Sequence, residues 1–304
     1  MILQERNIPE IRKHTKETAP LIHCITNPIS IHDCANVILA AGARPIMAEH
    51  PAEVTEITAV ASALMLNLGN ITDARIESMQ RALKEANRKN IPVLLDLVGV
   101  TCSRLRREFA RTLLSNGTFA VIKGNISEIL AAADRPFHGT GIDAGAQDAV
   151  SGENEAWCCG MAKELAAQFS CTVLATGKQD LVADKHQAFL ISNGHSALSG
   201  ITGTGCMVGA LTAAYLPGSR TWAASDFYGT PAALLATITM GIAGEHAAAV
   251  SRGPGSFQVS LLDELFCMTD GKLHQEAKIR CTGSVQMTAH KNGDILENKE
   301  KRGE

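Results

Sequence analysis

Short apolar runs with no polar alternation recur through the first two thirds of the chain, and longer stretches with helical periodicity lie between them. Val93-Leu94-Leu95, Ala120-Val121-Ile122 and Val173-Leu174-Ala175 are the clearest of these runs. A strand that is apolar on both faces needs helices on both sides, as in a parallel α/β sheet. Strands are expected at 21–26, 43–48, 63–68, 91–98, 119–123 and 171–175, with a hairpin across 180–192. Helices are expected at 33–41, 73–88, 103–115, 127–133 and 153–169. The fold class is therefore α/β, a three-layer sandwich whose mostly parallel central sheet is covered by helices on both faces.

From Cys206 onward the pattern turns to nearly continuous helix, over 207–215, 231–250 and 256–268. Pro231 suits the first turn of the second of these. No repeat or low-complexity linker divides the chain, so a single domain is expected over residues 1–280, followed by a polar tail over 281–304. Within that tail, residues 289–304 hold eight charges that cancel and show no helical apolar face, so disorder is expected.

Only 4% of residues are aromatic, so the core must be built from Ala, Leu, Ile and Val, with glycines permitting close approaches. Twenty-eight basic against 31 acidic residues leave no electrostatic footprint for nucleic acid or an anionic membrane. Met1–Glu10 has no basic start leading into an apolar stretch, so no secretory signal is expected. The longest apolar run, 232–244, is too short to span a bilayer. Nine cysteines, with no CxxC and several inside apolar runs, fit free thiols in a reducing cytoplasm.

The stretch Ser199-Gly200-Ile201-Thr202-Gly203-Thr204-Gly205-Cys206-Met207 precedes one of the expected helices. Glycines at 203 and 205 let successive amides converge where the helix contributes partial positive charge, which suits a phosphate in transfer. The other reading is a tight loop whose glycines only allow packing. In Val121-Ile122-Lys123-Gly124-Asn125-Ile126-Ser127-Glu128, Asn125 and Glu128 follow an apolar strand three residues apart. They read as hard oxygen ligands for Mg²⁺ through water, or as a capping box at a helix start, and the two readings are compatible.

Asp96 closes another apolar strand, as a ligand for metal or substrate or as a turn residue. Thr176-Gly177 ends a third, as a nucleotide contact or a plain turn. Asn27 donates and accepts at once and Met47 offers an adaptable apolar wall. Together these two suit a small, flat, heteroaromatic ligand; separately, each reads as structural.

In order along the chain, His23-Cys24-Ile25-Thr26-Asn27, the stretch from Ala40 to Ala48, Lys123 to Glu128, Ala175-Thr176-Gly177, Gly203-Thr204-Gly205-Cys206 and Gly253-Pro254-Gly255-Ser256-Phe257 resemble the hydroxyethylthiazole kinases of thiamine biosynthesis. The resemblance covers roughly residues 8–270. It implies a ribokinase-like fold and a homotrimer with sites between subunits. The implied reaction uses ATP and Mg²⁺ to phosphorylate the primary alcohol of 4-methyl-5-(2-hydroxyethyl)thiazole. Carried over, Met47 and Gly203 contact the substrate with Asn27 nearby, and Lys123 and Thr176 bind ATP. Asp96 and Glu128 lie around magnesium and phosphate, and the Gly203, Thr204, Gly205 and Cys206 loop receives the phosphoryl group. The family geometry further implies that Asn27 and Met47 come from one subunit and the Gly203 loop from its neighbour.

Two places depart from the family pattern, around Lys123 and around Leu97, and Cys206 departs from that of the wider superfamily. Lys123 stands where relatives more often carry Arg, which replaces a planar fork by a point charge. Leu97 stands where Pro is common, and Thr101-Cys102-Ser103 replaces a Gly-Ala-Thr-like continuation, which puts the geometry around Asp96 in question. Cys206 stands where the wider superfamily has an Asp that accepts the substrate's proton. A free thiol titrates at about 8.5, and a helix start lowers that value while an incoming phosphate opposes it. Cys206 is thus a weak base or only shapes the pocket. A kinase for another hydroxymethyl compound, a repair dehydratase and a non-catalytic thiazole or nucleotide sensor are the competing readings. A Rossmann oxidoreductase is disfavoured, since no early strand-linked GxGxxG is present.

Overall fold

The computed structural model describes residues 6–136, 138, 150–152, 154–223 and 227–282. Residues 283–304 of the expected tail at 281–304, and the expected helix start at 153, lie outside these residues. Nine strands form one sheet: β1 (Leu21–Ile25), β2 (Arg44–Ile46), β3 (Ala63–Asn67), β4 (Val93–Asp96), β5 (Val121–Asn125), β6 (Thr172–Thr176), β7 (Asp180–Ala183), β8 (Ala188–Ile191) and β9 (Ile279–Thr282). Their order is β2-β1-β3-β4-β5-β6-β7-β8-β9. The first six in that order are mutually parallel, and the last three pair antiparallel. The 180–192 hairpin forms as β7 and β8, with Asp180 opposite Ile191.

One face of the sheet carries α1 (Ile8–Thr18), α2 (Ile31–Ala40), α8 (Thr204–Trp222), α9 (Gly229–Val250), α10 (Pro254–Phe266) and α11 (Asp270–Glu276). The other carries α3 (Val54–Val60), α4 (Asp73–Arg88), α5 (Arg104–Asn116), α6 (Ile126–Ala132) and α7 (Glu155–Phe169). Alternate residues of a strand serve opposite layers, as the period of two demands. In β3, Ala63 and Met65 join the first core and Leu64 and Leu66 the second; in β4, Leu94 divides from Val93 and Leu95 in the same way. Unbroken apolar runs therefore mark strands buried on both faces.

Several elements escape sequence reading for local reasons. Helix α1 buries only Ile8, Ile11, Arg12 and Thr15 of its 11 residues, and α3 only Val54 and Thr58, so neither shows a broad apolar stripe. The edge strand β9 is likewise only partly buried, and the domain end expected at 280 falls inside it. Helix α8 continues past Tyr215 to Trp222 through Pro217, and α9 is 22 residues long. By length and apolarity α9 is the one helix among the described residues that could cross a membrane, which corrects the estimate from the apolar run alone. Every residue from 229 to 244 is nevertheless buried, the position of a core helix.

From β1 the chain passes to β2 on one side and then returns to β3 on the other, so the winding reverses between β1 and β3. In open α/β sheets the crevice at such a reversal, at the carboxyl ends of the strands, is where ligands bind. Asn27 and Asn67 stand at those two ends.

Candidate functional site

Parallel register sets Asn67 of β3 beside Asp96 of β4, and Asp96 beside Lys123 of β5. Lys123 Nζ lies 3.3 and 3.1 Å from the two Asp96 carboxylate oxygens. The two side chains are 4% and 0% exposed. Asn67 Nδ2 donates to Asp96 Oδ2 at 3.2 Å and the Val98 amide donates to Oδ1 at 3.2 Å. Every recorded partner of Asp96 is a donor, so it stands as a carboxylate even though burial pushes its carboxyl above the usual range. Burial opposes the Lys123 ammonium too, but the neighbouring Asp96 holds it above its ordinary value. The result is an ionised pair out of water, of the kind that is costly to leave half-broken.

Helix α8 starts directly over this pair. Gly203 adopts φ +86°, and a side chain there would also come within 3.1 Å of Ser30 Cβ, so the position requires glycine twice over. No side chain caps α8. The Thr204 hydroxyl instead donates backward to the Leu198 carbonyl at 3.0 Å. As a glycine, the cap residue offers the first-turn amides of Thr204, Gly205 and Cys206 no side-chain oxygen of its own. Lys123 Nζ lies 3.4 Å from where a Gly205 Cβ would sit, which adds a full charge to the helix's partial one. Such an arrangement can hold an anion.

Cys206 is buried at this turn, and its sulfur accepts from Asn67 Nδ2 at 3.3 Å and Asn27 Nδ2 at 3.4 Å. Burial first, then Asp96, push its thiol up, with Lys123 pulling the other way. The lowering expected from the helix start is outweighed. Asn27 uses its remaining groups inside the protein: Nδ2 donates to Asn67 Oδ1 at 3.0 Å, and Oδ1 accepts from the Ile29 and Ser30 amides, both at 3.1 Å. Asn27 and the Gly203 loop meet within one chain, which corrects the expectation that a neighbouring subunit supplies that loop.

Glu128 forms the capping box anticipated from its spacing. Asn125 Oδ1 accepts from the Glu128 amide at 2.8 Å, and Glu128 Oε2 accepts from the Asn125 amide at 2.8 Å. Its other oxygen accepts from the Gly99 amide at 2.7 Å, tying the turn after β4 to the start of α6. Burial above all pushes this carboxyl up to about 7. Leu97, the departure beside Asp96, donates its amide to the Lys123 carbonyl at 2.7 Å and fills the second core. Proline could not make that bond.

Thr176 stands opposite Asn125, with its hydroxyl 3.4 Å from the Gly124 carbonyl. The Gly177 amide donates to Asp180, whose carboxyl burial pushes up to about 7. Met47 follows the edge strand β2, half-buried against the first core, apart from the cluster around Asp96. Asn67 and Asp180 were missed by the sequence reading. Asn67 carried the same signal as Asp96, a polar residue closing a wholly apolar strand.

The family model for hydroxyethylthiazole kinases matches residues 12–271. The chain belongs to the hydroxyethylthiazole kinase family. A relative named hydroxyethylthiazole kinase 2, from Clostridium botulinum strain 657, is 45% identical over 270 residues, which is 89% of this chain and 98% of that one. The solved structure of a hydroxyethylthiazole kinase from Pyrococcus horikoshii OT3 is 33% identical and superposes with a TM-score of 0.79, covering 91% of this chain and 99% of that one. A ribokinase-like superfamily protein from Enterococcus faecalis V583, 11% identical, shares the fold with a TM-score of 0.55 over 82% of this chain and 88% of its own. For a member of the hydroxyethylthiazole kinase family, the ribokinase-like sandwich is the expected fold, and it is the one observed.

Proposed function

We propose that this protein transfers the γ-phosphoryl group of ATP to the primary hydroxyl of 4-methyl-5-(2-hydroxyethyl)thiazole, for thiamine biosynthesis or salvage. The observation that carries the reading is the uncapped start of α8 facing a buried ammonium, in a chain of this family. Phosphoryl transfer passes through a loose transition state with charge on the outer oxygens, so catalysis is mainly positioning and neutralisation. The amides of Thr204, Gly205 and Cys206, with Lys123, would meet that charge. Lys123 and Thr176 would hold the nucleotide, and Met47, Asn27 and Gly203 the thiazole. Little early deprotonation is required of the alcohol, which suits a thiol that burial keeps protonated.

Four donor contacts, from Val98, Asn67 and bifurcated Lys123, occupy the lone pairs of Asp96, whereas Glu128 uses two of its four. Among the described residues no group of three or more His, Cys, Asp or Glu is placed to hold a metal. Glu128 therefore keeps acceptor capacity that would suit a hydrated Mg²⁺ held through water together with phosphate oxygens, whereas Asp96, fully engaged by its donors, would act there only by orienting Lys123. When bound, the ion neutralises phosphate charge.

A homotrimer fits the exposed apolar residues Ile29, Leu39, Val259 and Phe266, which lie on or beside α2 and α10. A cytoplasmic location fits nine cysteines that form no disulfide. A coupled ADP assay with the thiazole against a panel of small alcohols, with and without Mg²⁺, tests the assignment. Thiazole-dependent and Mg²⁺-dependent ADP formation is expected. Turnover of another alcohol with none of the thiazole would overturn the substrate, and calorimetric binding without turnover would make the protein a sensor.

A further inference from the structure

Among the described residues, Asn67 is the one side chain that hydrogen-bonds to both Asp96 and Cys206. It is fully buried, and all four of its amide's hydrogen-bonding capacities are used. Its two N–H groups go to Asp96 Oδ2 at 3.2 Å and Cys206 Sγ at 3.3 Å, while its oxygen accepts from Asn27 Nδ2 and the Gly69 amide, both at 3.0 Å. The partners leave one orientation. Turning the amide over would set its oxygen against the Asp96 carboxylate and its N–H groups against two donors, and each mismatch leaves a buried polar group unsatisfied.

The two directions in which Asn67 donates are therefore set, and they converge on the phosphoryl site. One keeps Asp96 aimed at Lys123, whose ammonium stands beside Gly205. The other, together with Asn27, holds the Cys206 sulfur in place at the first turn of α8. We propose that Asn67 is a positioning residue for phosphoryl transfer, holding Cys206 and Asp96 in one hydrogen-bonded chain that links the α8 start to the Lys123 ammonium. It acts through the residues it holds. The inference rests on the kinase reading for its kinetic consequences only.

Two substitutions separate the donors from the shape. Asn67→Asp keeps the shape and the oxygen that Asn27 and Gly69 address but removes the donor to Cys206 and sets a carboxyl against Asp96, where one shared proton replaces the amide's hydrogen bond; Asn67→Leu removes every polar atom. Both are expected to lower kcat about tenfold, the cost of a lost buried hydrogen bond, with the thiazole KM changed less than twofold. In a Cys206→Ala background, itself expected to slow turnover with binding intact, adding Asn67→Asp should cost clearly less than tenfold, because part of its effect runs through the sulfur. A merely structural Asn67 predicts a different order, with Asn67→Asp near the parent and only Asn67→Leu impaired. A folded Asn67→Asp protein with parental kcat would overturn the proposal, as would a full, additive loss in the Cys206→Ala background. A crystal structure of Asn67→Asp needs no substrate and is expected to show Cys206 in a shifted or second rotamer. Finding Cys206 and Asp96 unmoved there would sink the inference whatever alcohol the enzyme uses, and failure of thiazole turnover in the parent would count against the substrate alone.

Discussion

Two helices begin at the carboxyl edge of the sheet around Lys123, and they begin in opposite ways. The start of α6 is closed: Asn125 and Glu128 satisfy each other's amides, and the second Glu128 oxygen takes the Gly99 amide from the neighbouring turn. The start of α8 is open, with a glycine at its cap position that offers the first amides no side-chain oxygen. A closed start stabilises its own helix and uses its charge locally, whereas an open one leaves amides and partial charge for a ligand. The same physical feature thus serves structure at one place and binding at the other, and the residue at the cap decides which.

The largest effect should come from the charge the two starts share. Lys123→Met leaves Asp96 buried without its cation, so a loss of about 3–5 kcal/mol of stability is expected, readable in thermal or urea melts. Turnover in the ADP assay should fall at least about a hundredfold, the usual cost of removing a donor aimed at developing charge. A variant that melts like the parent would show that the pair contributes far less than its burial implies.

Closing the open start is the next test. Gly203→Ala forces a side chain into left-handed backbone at a cost of about 1–2 kcal/mol and crowds Ser30. Displacing the loop is expected to cost roughly ten- to a hundredfold in kcat. Parental kinetics would mean that the first turn of α8 does not receive the phosphoryl group.

The closed start has a pH signature. The Glu128 carboxyl, pushed up to about 7 by burial, binds its proton more tightly in the folded chain than in the unfolded one, where it titrates at about 4.3. Stability should therefore be highest toward the acid end of that window and fall as pH rises toward 7, by on the order of 2 kcal/mol. Asp180 contributes in the same direction. Melts of the ligand-free protein between pH 5 and pH 8 read this slope, and Glu128→Gln should make it shallower; an unchanged slope would assign it elsewhere. The smallest effect is expected from Asn125→Ala, which removes the α6 cap for about 1 kcal/mol and should leave kcat within about twofold. A large loss of turnover there would show that the closed start also acts on the nucleotide.

How legible these features were in the sequence follows from how local their causes are. The capping box lies within four consecutive residues, so Asn125 and Glu128 could be paired on spacing alone. The glycine at 203 could be placed before a helix, but not its contact with Ser30, which joins residues far apart in the chain. Asn67 went unread although it closes β3 as Asp96 closes β4, because what distinguishes a strand-end Asn is its neighbour on the next strand. Leu97 looks like a defect beside Asp96 in the sequence; the hydrogen bond that its amide donates to the Lys123 carbonyl exists only once β4 and β5 lie side by side.

By itself the sequence determined the layering, because strands apolar on both faces admit only a sheet covered twice, and it determined which local helix starts are possible. Tertiary structure decided where the charges went. It turned Lys123 in upon Asp96, set the sulfur of Cys206 between two asparagine amides, and outweighed the helix start's pull on that thiol by burying it. Those outcomes depend on lateral strand register and on the removal of water, and neither is written in any short stretch of the chain.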